Sequence, residues 1–313
     1  MTEKLVEQPR PHDEGKRIEG KSGGLSRVIA AVIVLAGVAL MLYPVTATWW
    51  QNKQQAGVAR SYTDQIQDRT SKEERERSLA EAREWNHTHA QGPILDPWLA
   101  RVDKSNYKYQ AYLKQLGLND VMARIKIPAI ASDLPVYHGT DEQVLNKGVG
   151  HLFGSSLPVG GEGTHAVLTG HTGLSHATLW DNLTDVKLGD AVYINVAGET
   201  LKYEVDETTV VLPNETDNLR PVDGKDLITL ITCTPYGVNS HRLLVTAHRV
   251  PMDPAEADRI LQSESVPWQW WMTAVLAAVA LVLTALVWWL LKTARSRRDP
   301  TDDQEPTVEV RGN

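Results

Sequence analysis

Residues 227–250 read LITLITCTPYGVNSHRLLVTAHRV and hold the only cysteine of the chain, Cys233, at the end of an apolar, β-rich run. Pro235, Gly237, Asn239 and Ser240 then supply a turn, and a second apolar run opens with His241-Arg242. Two strands joined by a short loop account for that pattern. They set Cys233 and Arg242 near the loop-facing ends of neighbouring strands, where a thiol and a guanidinium can share one cleft. The alternative is a buried core cysteine, behaving as a small hydrophobe, beside a surface arginine.

Composition bounds the rest. The 313 residues are 42% hydrophobic and 23% charged, enough to bury one sizeable core. Two stretches stand apart. Residues 28–50 (VIAAVIVLAGVALMLYPVTATWW) and 268–291 carry no charge and are long enough to cross a bilayer. Trp49-Trp50 and Trp268, Trp270 and Trp271 stand where interfacial aromatics belong. Lys16, Arg17, Lys21 and Arg27 precede the first stretch; Lys292, Arg295, Arg297 and Arg298 follow the second. Both ends are therefore expected in the cytoplasm and residues 51–267 outside. The first stretch exceeds a signal-peptide core and ends in Trp-Trp rather than small residues, so we expect it to be retained. A net charge of −7, without a basic stripe, argues against nucleic acid as a partner. One cysteine makes no intrachain disulfide, and a lone thiol facing outside invites oxidation, which favours a chemical role.

Taken in order, the expected organisation is a cytoplasmic tail (1–27), a transmembrane helix (28–50), a helical stalk and the turn-bearing segment after it (51–118), a β-barrel (119–255), a linker (256–267), a second transmembrane helix (268–291) and a tail (292–313). Residues 51–91 include SKEERERSLAEAREW and no proline, which reads as one charged, solvated helix with a thin apolar stripe of Leu79, Ala82 and Trp85. Gly92-Pro93 ends it. Ile94-Leu95-Asp96-Pro97-Trp98 follows as a turn, then a short helical segment through Leu116. From Ala123 the texture is β: strands at 124–130, 134–137, 164–170, 191–196 and 201–211 precede the two of the opening stretch, with one helical turn at 141–147. Short strands punctuated by turns predict a mainly β fold, a closed or nearly closed antiparallel barrel.

The run Thr229-Leu230-x-Thr232-Cys233 with Arg242 on the next strand resembles the TLxTC…R signature of sortases, the transpeptidases of Gram-positive surfaces. IPAIASDLPVYHGT (127–140), GVGHLFGSSLPVGGEGTHAVLTGH (148–171) and LWDNL (179–183) extend that resemblance to the pilus-polymerising class C. It implies a sortase-type barrel and a catalytic set of Cys233, His171 and Arg242, with His171 taken from the family's TGH motif. Thr172 stands where the family often has arginine. The implied reaction begins with Cys233 attacking the threonine carbonyl of an LPxTG-type sorting signal. His171 moves the proton of the departing and incoming amines, and Arg242 holds substrate and developing oxyanion. A pilin lysine amine would accept the acyl group. The implied partners are pilin subunits and the membrane, and no feature assigns an oligomeric state.

The resemblance also makes Asp96 and Trp98 a lid, with Asp96 pairing Arg242 and Trp98 covering the cysteine. Taken as exposed, the pair contributes only about 0–1 kcal/mol, so burial of Trp98, about 1.5–3 kcal/mol, is expected to do most of the closing. No cofactor is called for, since a thioester conserves the peptide-bond energy. No phosphate loop is present, and His138, His151, His165, His176 and His248 lack zinc spacing. Thr232 and Thr234 flank the nucleophile as hydrogen-bond candidates, and His241 is expected on the opposite strand face from Arg242. Two other readings stay open: a sortase that anchors single proteins to cell-wall peptide, and a silent scaffold that binds surface proteins.

Overall fold

A computed structural model describes residues 22–89, 96–98 and 102–295. The outer parts of both expected tails and the Gly92-Pro93 helix stop lie outside the described residues. In chain order the elements are α1 (Ser22–Arg69), α2 (Lys72–His89), α3 (Tyr107–Tyr112), β1 (Ala123–Ile127), β2 (Ser132–His138), α4 (Glu142–Leu145), β3 (Val149–His151), β4 (Thr164–Thr169), β5 (Ala191–Val196), β6 (Glu199–Val211), β7 (Asp226–Thr234), β8 (His241–Val250), α5 (Pro254–Gln262) and α6 (Trp270–Arg295). The chain falls into two units, residues 43–274 and a smaller one formed by its two ends.

The larger unit is built on a closed barrel with strand order β1-β2-β3-β4-β7-β8-β6-β5, sealed by antiparallel pairing of β1 with β5. Closure is as expected, and most pairings are antiparallel. Two are parallel, β2 with β3 and β4 with β7. The reason is connectivity: β3 follows β2 across the α4 turn rather than a hairpin, and β7 returns to β4 only after the β5–β6 excursion. The β5–β6 hairpin turns on Ala197-Gly198, both at positive φ (45° and 82°), as a two-residue turn between twisted strands demands. Inward-facing Ile125, Val136, Leu168, Ile194, Ile228, Leu230 and Val245 belong to one continuous core.

Two expectations about the helices change. The charged stretch after the first apolar run is not one helix, because Ser71 starts a new one. Its Oγ accepts from Glu74 N at 3.2 Å, while Ser71 N donates to Glu74 Oε2 at 2.8 Å. That is a capping box, legible as Ser71-x-x-Glu74. Nor is the segment a free stalk. Leu79 and Ala82 join the barrel core, with Trp85 packed against it, and Asn86 exchanges two hydrogen bonds with the Leu157 backbone (3.1 and 2.7 Å). Along α1, Tyr62 and Ile66 bury with Val121. A thin stripe suffices where an apolar barrel wall waits for it.

The expected linker 256–267 overlaps a helix, α5, that is pinned to the barrel. Lys126 Nζ donates to Ile260 O (2.8 Å) and also to Ser263 O, and Arg124 Nη2 donates to Leu261 O at 3.1 Å. Cations at a helix C-terminus satisfy carbonyls left over there. Both are buried in β1 and share Asp133, which accepts from Arg124 at 2.8 and 2.7 Å. Such charges stand in an interior only with this degree of pairing.

The smaller unit contains the N-terminal part of α1 and most of α6. Both helices are long and apolar enough to cross a membrane.

Behind the barrel mouth, His151 is fully buried. Tyr112 Oη lies 2.9 Å from its Nδ1, and Ser156 O 2.8 Å from its Nε2. Burial pushes its imidazole down to about 4. A neutral buried histidine stabilises the fold fully above the unfolded value near 6.5. That contribution is lost as pH falls from there through 4, on the order of 3 kcal/mol in all. Thermal unfolding of the detergent-solubilised chain should therefore show Tm dropping across this window. His151→Gln should flatten the drop, leaving the smaller slope due to His138 and His165, which burial shifts the same way. An unchanged slope in that variant would exclude His151 as the source.

Candidate active site

Two registers assemble the site. In the β7–β8 ladder Cys233 lies directly opposite Arg242, and Thr234 opposite His241. Side chains of directly opposed residues project to one face, so thiol and guanidinium share a side of the sheet and His241 takes the other. His241 Nδ1 is 2.8 Å from Ser240 Oγ instead. The second register is the parallel β4–β7 pairing, in which Thr169 matches Ile231. Gly170 N continues it by donating to Ile231 O at 3.0 Å, and Thr232 Oγ1 donates to Gly170 O at 2.8 Å. Two residues beyond Thr169 is His171, and two beyond Ile231 is Cys233. The sheet thus carries the imidazole to the level of the thiol. Thr232 is accounted for here as the tie between the strand of Cys233 and the residue before His171.

Asp96-Pro97-Trp98 covers this corner. Asp96 Oδ2 accepts from Arg242 Nε at 2.7 Å and Oδ1 from Nη2 at 3.2 Å, a two-point fork. Asp96 Oδ1 also accepts from Trp98 N at 3.0 Å, which folds the turn. The Trp98 ring lies 4.6 Å under the Arg242 guanidinium, and its Nε1 donates to His171 Nδ1 at 3.4 Å. Its apolar face packs on Leu152, Val167, Val211, Leu219, Ile231 and Leu244. Thr140 Oγ1 adds a bond to Pro97 O at 3.2 Å. The structure therefore brings all five sequence-derived residues together, but with a different balance. The Asp–Arg pair, taken as exposed from sequence, has side chains only 4% and 8% exposed, while Trp98 is half-buried.

Electrostatics follow from that packing. Burial pushes the Cys233 thiol up; Arg242 pulls it down and the Asp96 carboxylate pushes it up again. Burial holds the His171 imidazole low, against a smaller pull from Glu142. With Nδ1 accepting from Trp98, the neutral ring keeps its proton on Nε2. Both burial effects favour the neutral forms, thiol and imidazole. A cavity of about 940 Å³ borders Trp98 and His171, with Trp85, Tyr109, Glu142 and Phe153 among its walls.

Sequence reasoning missed the support of His171. Trp180 is wholly buried and lies so close to Gly170 that a Cβ there would meet its ring at 2.7 Å. This explains the glycine of Thr169-Gly170-His171. Asp181 accepts from Thr172 Oγ1 (3.0 Å) and Gly173 N (2.7 Å) in the loop after His171.

The sortase domain family matches residues 125–250. Among curated proteins, Sortase A of Bacillus anthracis is 31% identical over 135 residues, 43% of this chain and 62% of that protein. Sortase D of Bacillus subtilis is 30% identical over 36% of this chain and 54% of its own length, so the match spans about half to three-fifths of these relatives. Among solved structures, sortase C-1 from Actinomyces oris is 59% identical, with a TM-score of 0.56, covering 57% of this chain and 99% of that one. Sortase A from Corynebacterium diphtheriae is 52% identical, with a TM-score of 0.59, over 66% and 95%. Sortase C of Streptococcus pneumoniae is 38% identical, with a TM-score of 0.57, over 63% and 97%. With identity above one half across nearly the full length of two solved sortases, and class C enzymes among its structural relatives, the chain belongs to the sortase family.

Proposed function

We propose that this protein is a membrane-anchored cysteine transpeptidase that cleaves an LPxTG-type sorting signal between Thr and Gly and joins the threonine to a pilin lysine amine. The observation that carries the reading is the convergence of Cys233, Arg242 and His171 under one lid. One structural relative, sortase C of Streptococcus pneumoniae, was described in terms of pilin substrate specificity, which supports a pilin as the partner.

The chemistry follows from the residues. Displacing the lid takes the Asp96 carboxylate away from the thiol and leaves Arg242 free to favour a thiolate, the thiol proton passing to the His171 imidazole, which becomes imidazolium. The Cys233 thiolate attacks the threonine carbonyl, and the guanidinium donates to the oxygen that gains the charge. The C–N bond breaks as His171 delivers a proton to the departing glycine amine, leaving a thioacyl-enzyme. An incoming lysine amine attacks that thioester, loses its proton to His171 and expels the thiolate. One amide is exchanged for another, so no energy-supplying cofactor enters. The cations that flank the 23-residue apolar stretch (28–50) and α6 support a reading with both termini in the cytoplasm and the barrel outside.

Three outcomes test this. Incubating the purified full chain with a pilin bearing an LPxTG-type signal should build a covalent ladder on denaturing gels. Cys233→Ala should abolish the ladder, and Arg242→Ala should slow it about 10²–10³-fold, the cost of losing an oxyanion donor. Hydrolysis without ladder formation would remove the polymerising part of the reading.

The lid should latch mainly through Asp96. Removing it strands a buried guanidinium, a loss of about 3–5 kcal/mol, and unfolds the turn that carries Trp98. Trp98→Ala leaves the ion pair in place. Alkylation of Cys233 by iodoacetamide at pH 7 should therefore rise in both variants, and at least as much in Asp96→Ala. Because a negative neighbour disfavours a thiolate, Asp96→Asn should also move the alkylation midpoint to lower pH. Faster alkylation in Trp98→Ala alone would return the latch to the tryptophan.

For topology, in a Cys233→Ala background a membrane-impermeant maleimide should label Ser105→Cys in intact cells and leave Ser296→Cys unlabelled. The reverse pattern would overturn the orientation.

A further inference from the structure

His171 stands at the start of a loop that the barrel alone does not hold. Trp180 N donates to His171 O at 3.1 Å, tying the end of the loop to its beginning. Between them residues 173–176 are largely exposed, while Ala177, Thr178, Leu179 and Trp180 are buried. Leu179 has φ +40°, a left-handed conformation that a bulky residue holds only where its surroundings over-determine it. The residue before it is held by Asn52 of α1, two residues past the apolar stretch 28–50. Asn52 Nδ2 donates to Thr178 Oγ1 at 2.8 Å and its Oδ1 accepts from Thr178 N at 3.0 Å. The same Nδ2 reaches Pro267 O at 3.4 Å, and Gln269 Nε2 donates to Asn182 Oδ1 at 2.7 Å. Asn52 and Thr178 are only 3% and 1% exposed.

We infer that Asn52 is a positioning residue for His171, clamping residues 177–180 from the membrane-proximal end of α1. The clamp acts through three links. Asn52 fixes the backbone N–H and the hydroxyl of Thr178; Thr178 fixes the strained Leu179; and Leu179 sets Trp180, whose backbone holds the His171 carbonyl and whose ring packs on Gly170. Asn52 touches neither substrate nor reacting atoms. Its amide presents an acceptor and a donor at once, so neither a hydrophobe nor a carboxylate replaces it. The segments next to both apolar stretches, through Asn52, Pro267 and Gln269, thereby grip the loop that bears the imidazole. Barrel fragments lacking residues 1–60 are expected to lose this grip.

The inference rests on the transpeptidase reading only for its kinetic consequence. Its test uses the full chain in detergent micelles with Asn52→Ala, Thr178→Val and Thr178→Ser. The titration of His171 is followed by NMR of ring-labelled histidine and assigned by difference with His171→Ala. In Asn52→Ala and Thr178→Val the His171 midpoint, held low by burial, should rise toward the ordinary imidazole value as the loop opens to water; Glu142 is present in every variant. The rate of the amine-dependent step should fall about tenfold or more, as a displaced catalytic group requires, with KM for the sorting peptide unchanged. Thr178→Ser, which keeps the hydroxyl, should behave as the parent in both readouts. A folded Asn52→Ala with an unchanged His171 midpoint and rate overturns the inference. If Asn52→Ala does not fold, the two Thr178 variants decide: identical behaviour overturns it, and a shift in Thr178→Val alone upholds it. Should the parent chain make no covalent product, the transpeptidase reading fails, while the His171 titration still decides the role of Asn52.

Discussion

Strand register is the constraint on which the rest of this molecule depends. β7 has β4 on one side, in parallel, and β8 on the other, antiparallel. The first pairing brings His171 level with Cys233; the second puts Arg242 directly across from it. A slip of one residue in either ladder would turn a member of the set to the opposite face. The register is therefore secured where it matters. Thr232 bonds to Gly170, Thr229 Oγ1 lies 2.8 Å from Thr246 Oγ1, and Ile228, Leu230 and Val245 lock the inner face in the core.

A site built this way is chemically quiet at rest. The same burial that lets Arg242 and Asp96 form a strong fork also disfavours a thiolate on Cys233 and an imidazolium on His171. Trp98 occupies the histidine nitrogen that faces it and stacks on the guanidinium, so a single short turn engages two of the three groups. Two features disfavour the charged forms here, desolvation and the nearby negative charge of Asp96, and the Asp96-Pro97-Trp98 turn contributes to both.

The helices explain why a barrel with so much chemistry at its rim keeps that rim in place. The C-terminal part of α1 and α2 lie along the wall rather than standing free, and α5 is bound through its carbonyls to Arg124 and Lys126. The buried trio of Arg124 and Lys126 in β1 and Asp133 in β2 makes that strand pair polar on its outer side, which only a covering segment could tolerate. Charged residues in the sequence of a strand can thus mark where another element docks.

Much was legible from sequence because it depends on neighbours in the chain. The two apolar stretches, the strand run with Cys233 and Arg242, the TGH and Asp-Pro-Trp motifs and the barrel class all rest on local pattern or on matching segments. Ser71-x-x-Glu74 was equally local and marks the break between α1 and α2. The balance of the lid could not be read, because whether an ion pair is exposed depends on what covers it, and Asp96 and Arg242 are far apart in the chain. The parallel pairing of β4 with β7, the docking of α2 and α5, and the contact of Asn52 with Thr178 were equally hidden. Each joins residues that have no fixed separation in the chain, and only the closed barrel brings them within hydrogen-bond reach. Residue types and candidate chemistry were set by the sequence; their levels, burial and charge balance were decided by packing, since desolvation is a property of the surroundings and not of the residue.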